Sequence, residues 1–375
     1  MSTLSIHFPG KLVFGNGCLH QLPDEIAAHT TGRVFIVTIA PLLPALKGLI
    51  ESLGKKGIHV VTNTGIVREP SFRDFHRIMA EAAPFDPDIV IGIGGGSVLD
   101  VAKLVAAQLG NEQVLTDYVG IGLLKQRARY LVCIPATSGT GSEVSPNAIL
   151  VDDADDQKKG IISPFLVPDI VYVDPLLTVS VPPDITAATG IDALTHCLEA
   201  YTNRFAQPFI DMYAFEGMRL ISGNLLKVVR NGDDAAARSQ VAMGSLLGGF
   251  CLGPVNTAAV HALSYPLGSS FHLPHGLSNA LLLPYVMEFN LPAARERYTG
   301  VAHALGCTTA EQGIEKVRSL IRECGLPATL KAVGVPYDAI ETLAIDAMKV
   351  TRLLKNNPRP VSQQDAITIF KSAYE

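Results

Sequence analysis

Hydrophobic and polar positions divide the chain into two halves of different period. In the first half, short β-branched apolar runs alternate with amphipathic stretches. Residues 6–14 read as an extended segment closed by a turn at Gly15-Asn16-Gly17. Residues 33–38, 58–61, 88–93, 131–135 and 171–175 read as buried strands, because an unbroken short apolar run suits a strand covered on both faces. Residues 44–53, 71–83 and 98–103 carry helical spacing, with Ser71 placed as an N-cap. Residues 152–159 are charged and read as a solvated hairpin or loop. Such alternation of strands and helices predicts an open, mostly parallel sheet. From Pro182 onward the strand signal stops. Helical patterns follow over 185–201, 209–224, 235–247, 258–267, 276–289 and 293–305, and continue to Tyr374. The expected fold is therefore an α/β domain with a parallel sheet over residues 1–181, followed by an all-α domain over residues 182–375.

A chain of 375 residues fits two such domains. Its net charge of −5 offers no basic face for a polyanion. Charge is distributed unevenly: no Asp, Glu, Lys or Arg occurs from Val241 to Met287. Glycines and prolines interrupt that run well below the roughly 18 apolar residues of a membrane span. It reads as protein interior, and it contains His261, His272 and His275. Buried imidazoles need partners, since an unpaired one keeps the cost of losing water. The six cysteines include no C-x-x-C pair, and no basic stretch followed by an apolar one opens the chain. Both features lead to the expectation of a cytoplasmic protein with reduced thiols.

Two stretches carry chemistry for a phosphate-bearing ligand. The strand over 88–93 runs into Gly94-Gly95-Gly96-Ser97 and then a helix. Glycines let backbone approach a ligand, a helix start offers free N–H groups, and Ser97 adds a hydroxyl. A tight turn without a ligand would use fewer glycines. The pattern is not G-x-G-x-x-G, so by itself it does not separate a dinucleotide from another phosphate. The loop after the strand over 131–135 contains Thr137, Ser138 and Thr140 between small residues, and it suits a second polar part of the same ligand. On composition alone, a Ser/Thr-rich surface loop explains it equally well.

Asp192 and His196 lie four apart on one helical face, close enough to share one ion. Alone, such a pair is more often a structural hydrogen bond. His261 and His275 change that balance, giving one carboxylate and three imidazoles, a donor set for Fe(II) or Zn(II). With a divalent ion the set keeps a net charge of about +1, which favours an anionic oxygen ligand such as an alkoxide. Tyr265 and His272 fall nearby as contacts to substrate or to the ligands. For His272 a satisfied pocket histidine is the simpler expectation. A phosphate site in one domain and this ion in the next imply hydride transfer from an alcohol to a dinucleotide.

Here the sequence resembles the iron-dependent (group III) alcohol dehydrogenase family. The resemblance runs from Leu12-Val13-Phe14-Gly15-Asn16-Gly17 through Gly94 to Ser97, Asp100, Thr137 to Glu143 and Gly190 to Glu199. It continues through His261-Ala262-Leu263-Ser264-Tyr265-Pro266-Leu267-Gly268 to Pro274-His275-Gly276. It implies a Rossmann-like N-terminal domain and a helical C-terminal domain, an architecture shared with dehydroquinate synthase. It also implies NAD or NADP, a divalent metal held by Asp192, His196, His261 and His275, and often a homodimer. Asp100 belongs to the cofactor motif, and Lys158 falls where the family places a lysine near the cofactor. Three positions depart from the family pattern. Ile39 stands where NAD-preferring members carry Asp, which leaves room for NADP. Arg68-Glu69-Pro70 replaces Pro-Asn-Pro, and Tyr265 replaces a second histidine thought to help proton transfer. The expected activity is metal-dependent NAD(P)-linked oxidation of a primary alcohol or reduction of its aldehyde. Two alternatives are polyol oxidation like that of glycerol dehydrogenase, which resembles a three-ligand zinc site, and an NAD-dependent lyase like dehydroquinate synthase. The lyase needs cations for an acidic substrate, and the charge-free run supplies none.

Overall fold

The computed structural model describes residues 4–30 and 32–375. In chain order its strands are β1 (Lys11–Phe14), β2 (Arg33–Val37), β3 (His59–Asn63), β4 (Ile89–Gly94), β5 (Gly120–Ile121), β6 (Tyr130–Pro135), β7 (Asn147–Asp152), β8 (Gln157–Ile162) and β9 (Ile170–Val173). Among them run helices α1 (Leu22–His29), α2 (Leu43–Lys55), α3 (Phe72–Phe85) and α4 (Gly96–Gln108). Six strands form one all-parallel sheet in the order β1-β9-β6-β4-β2-β3.

The sheet explains its own sequence. Alternate residues of β2 and β4 enter opposite cores: Phe35, Val37 and Val90 on one face, Val34, Ile36, Ile89 and Ile91 on the other. Neither face meets water, so the strands read as continuous apolar runs. Ser71 caps α3 in a reciprocal box with Asp74, which satisfies two amide donors at the helix start.

The charged stretch at 152–159 spans the end of β7, the tip and the first residues of β8 in an antiparallel hairpin, which β5 extends into a small second sheet. A hairpin was one of the two readings of this stretch, but the extent of the sheet was not legible. β5 has only two residues, and β8 opens with Gln157-Lys158-Lys159, which shows no apolar alternation. The extended segment expected over 6–14 pairs only from Lys11 onward.

A second compact unit holds helices α5 (Pro183–Thr202), α6 (Pro208–Arg230), α7 (Ala235–Leu252), α8 (Ala259–Phe271), α9 (His275–Asn290), α10 (Arg295–Ala304), α11 (Ala310–Glu323), α12 (Ile340–Met348), α13 (Thr351–Leu354) and α14 (Gln363–Ser372). They close on one apolar core that includes Ile191, Leu194, Leu263, Leu282 and Phe370. Pro266 and Pro284 lie inside α8 and α9 rather than ending them. No helix among the described residues is long and apolar enough to cross a membrane. All six cysteines are free thiols.

The division differs from a single cut near residue 181. The helical unit begins at Ser180 and also takes in residues 4–6 and the loop Ser138–Gly141. Missing side chains are the cause for the loop. A Cβ on Gly139 would stand 2.8 Å from the Thr189 Cβ on α5, and one on Gly141 would stand 2.3 Å from the Gly249 Cα on α7. Gly141 also has φ +61°, a left-handed conformation that glycine adopts without strain.

Candidate metal centre and phosphate turn

In the helical unit, α5 supplies Asp192, His196 and Glu199 from successive turns of one face, all nearly or fully buried. Helix α8 brings His261, and α9 begins with His275. The helical pattern in the sequence starts at residue 276, just after His275. His275 is itself the first helical residue after Pro274, which cannot continue a preceding helix but suits the entry to a new one.

Three imidazole nitrogens converge on one carboxylate oxygen. The Nε2 atoms of His196, His261 and His275 lie 3.7, 3.5 and 3.6 Å from Asp192 Oδ1. Asp192, His261 and His275 form the tightest set, their donor atoms all within 4.8 Å of one another. His196 stacks on His261 with ring centroids 4.8 Å apart. Two donors held at about 2.1 Å by one ion stand roughly 3.0 to 3.4 Å from each other. The separations from Asp192 Oδ1 need only a small contraction to meet that spacing. A carboxylate with imidazoles suits Fe(II) or Zn(II), so the residues present fit such an ion.

The electrostatics agree. Burial alone would raise the Asp192 carboxyl, but the imidazoles, His196 foremost, outweigh it and hold the group well below the usual carboxylate range. Burial lowers His196. For His261, burial is outweighed by Glu199 and Asp192, which push it up to about 9. The cause is geometric: Glu199 Oε2 lies 2.6 Å from His261 Nδ1, and Glu199 Oε1 accepts the Val260 N–H at 2.6 Å. A carboxylate on Nδ1 holds the proton there, so that Nε2 is the nitrogen that gives up its proton to an ion.

Two residues of this centre carried no assigned role in the sequence reading. Glu199 lay within the recognised motif, on the same helical face as Asp192 and His196, and that periodicity was the available signal. Asn279, fully buried on α9, donates from Nδ2 to Asp192 Oδ1 at 2.7 Å. The same nitrogen stands 3.2 Å from His261 Nε2 and 3.4 Å from His275 Nε2. Its one sequence signal was a spacing of four from His275, which any helix supplies many times.

Tyr265 lies one turn beyond His261 on α8, its ring 6.0 Å from that of His275. His272 departs from expectation. It is exposed, not interior, and ends α8 in a left-handed conformation with φ 54°, its N–H bonded to Gly268.

In the α/β unit, β4 ends at Gly94 and α4 starts at Gly96 with no side chain capping it, so no side chain serves the first helical amides. A Cβ on Gly94 would meet Val98 at 2.7 Å, so close strand-to-helix packing also requires glycine there. Ser97 and Thr137 are partly buried, with Thr137 beside Gly95. Asp100, one turn into α4, is bonded to residues of the following segment. Its Oδ1 accepts the Ser142 hydroxyl at 2.5 Å and its Oδ2 accepts the Ile149 N–H at 2.9 Å. Buried Lys103 donates to Ser142 Oγ and to the carbonyls of Ser145 and Asn147, each at 2.9 Å. Together these two side chains tie the hairpin to α4. Lys158 is nearly buried and paired with Glu69 at 2.5 Å, so the unusual residue at position 69 meets the lysine that the family pattern singled out. Ser138 and Thr140 belong to the segment that packs with the helical unit.

Comparison with known proteins agrees with this geometry. Residues 9–175 match the family described as iron-containing alcohol dehydrogenase. Residues 186–374 match the C-terminal region of the Fe-containing alcohol dehydrogenase family. The chain is 38% identical to long-chain-alcohol dehydrogenase 1 of Geobacillus thermodenitrificans, over 100% of this chain and 98% of that protein. It is 32% identical to the sulfoacetaldehyde reductase of Bilophila wadsworthia, over 97% of each. A crystal structure of a 1,3-propanediol oxidoreductase superposes with a TM-score of 0.94 at 30% identity, covering 100% of both chains.

Proposed function

The chain belongs to the iron-containing alcohol dehydrogenase family, and on that premise we propose that it moves a hydride between a primary alcohol or its aldehyde and a nicotinamide cofactor. The convergence of three imidazoles on Asp192 carries this reading. Asp192, His196, His261 and His275 would hold a divalent ion, which would supply Lewis-acid polarisation of an alcohol or carbonyl oxygen, and family membership favours Fe(II). Glu199 keeps His261 in the binding tautomer. His275 is the most accessible donor, with 29% of its side chain exposed, so substrate is expected to approach from that side. Tyr265 lies there, and its hydroxyl is the proposed group for moving the alcohol proton.

The absence of formal charge from Val241 to Met287 favours an uncharged substrate. Gly94, Gly95, Gly96, Ser97 and Thr137 are the proposed phosphate contacts, with Ser138, Thr140 and Lys158 as further cofactor contacts. Asp100 acts by holding the hairpin. Ile39 offers no carboxylate to a ribose hydroxyl, so both NADH and NADPH are expected to serve. The protein is further proposed to be a cytoplasmic homodimer, the location supported by its free thiols.

Cofactor oxidation followed by absorbance, with NADH and NADPH side by side and short-chain aldehydes as substrates, tests the reading. Turnover is expected with both cofactors. No turnover with either, on any aldehyde, would overturn it.

A further inference from the structure

Asn279 is an amide in a place where packing alone calls for a leucine. It is fully buried between α5, α8 and α9, and its Oδ1 is buried with no hydrogen-bond partner. Leaving half an amide unsatisfied is a cost that an apolar residue of similar size would avoid. The other half faces the metal donors: Nδ2 reaches Asp192 Oδ1 at 2.7 Å, His261 Nε2 at 3.2 Å and His275 Nε2 at 3.4 Å.

Lone-pair counting shows which of these contacts is compatible with a bound ion. Each imidazole Nε2 has a single lone pair, and an ion takes it. A carboxylate oxygen has more than one, so Asp192 Oδ1 can face an ion and still accept the amide N–H. The short contact, the one to Asp192, is therefore the one that persists. Asp192 is also the donor on which all three imidazoles converge, so whatever orients its carboxylate orients the centre.

We propose that Asn279 is a positioning residue of the metal centre, donating from Nδ2 to Asp192 Oδ1 so that the carboxylate is held in its ligating orientation. This rests on the proposed metal centre and adds to it a fixed partner for the carboxylate, as Glu199 is for His261. Loss of such an outer partner typically weakens metal binding about 10- to 100-fold.

The test is competition for Fe(II) or Zn(II) against a chelator of known affinity. It would use wild type, Asn279→Ala and the volume-preserving Asn279→Leu, each first verified as folded by circular dichroism. Both variants are expected to bind metal about 10- to 100-fold more weakly than wild type. Leu is expected to fare no better than Ala, because filling the space restores no donor. Wild-type affinity in the Leu variant would reduce Asn279 to packing and overturn the proposal, and Leu alone decides the point if Ala does not fold. Failure of the wild type to bind metal would instead overturn the metal centre on which the proposal rests.

Discussion

Glu199 sits two helical turns after Asp192 and gives both its oxygens to the segment that carries His261. Glu199→Gln keeps the volume but offers one acceptor oxygen where the carboxylate offers two. It should weaken metal binding about 10- to 100-fold, measured by chelator competition; unchanged affinity would show that His261 needs no orienting partner. Glu143 gives a pH signature of a different kind. Burial, only partly offset by its own backbone N–H and by Lys103, pushes its carboxyl up to about 7 from an ordinary value of 4.5. Below 4.5 the group is protonated folded and unfolded alike. Between 4.5 and 7 the folded state binds the extra proton, so stability falls as pH rises through that window. Glu143→Gln should therefore raise Tm at pH 8 and leave it nearly unchanged at pH 4. An equal shift at both values would contradict a buried, proton-holding carboxyl. Of the four proposed metal ligands, His261 and His275 stood out because histidines in a charge-free run need partners, and Asp192 and His196 because they lie four apart on one helical face. Asn279 did not, since a neutral amide discloses its role only through neighbours far away in sequence.

At the scale of elements, the strands of the large sheet and the long helices were legible because burial imposes a period on each. The loop Ser138–Gly141 was not. Its hydroxyls suggested a ligand, whereas its glycines permit close backbone packing on α5 and α7, and no local pattern separates the two. Gly141→Ala would need both a positive φ and a Cβ 2.3 Å from Gly249 Cα. The strained backbone costs about 1–3 kcal/mol before the clash is counted, so a clear fall in Tm is expected. A variant as stable as wild type would show that the loop does not pack this closely. The extent of the short sheet was not legible for a related reason: β8 begins Gln157-Lys158-Lys159, its lysines paired with Glu69 and Asp155, and pairing leaves no hydrophobic trace.

For the whole molecule, the α/β-then-helical order followed from a change of period near Pro182, and the family follows from matches spanning both regions. Cofactor choice and substrate length were not legible, because they depend on cavity shape, which neighbouring residues in sequence do not define. The central claim is that hydride transfer depends on an ion held by Asp192 and the three imidazoles. The most direct measurement is aldehyde reduction by protein stripped of metal and then reloaded with Fe(II), beside His261→Ala treated identically. Activity should vanish on stripping, return on reloading, and stay absent in the variant. Full turnover by the stripped protein, or by His261→Ala, would contradict the account.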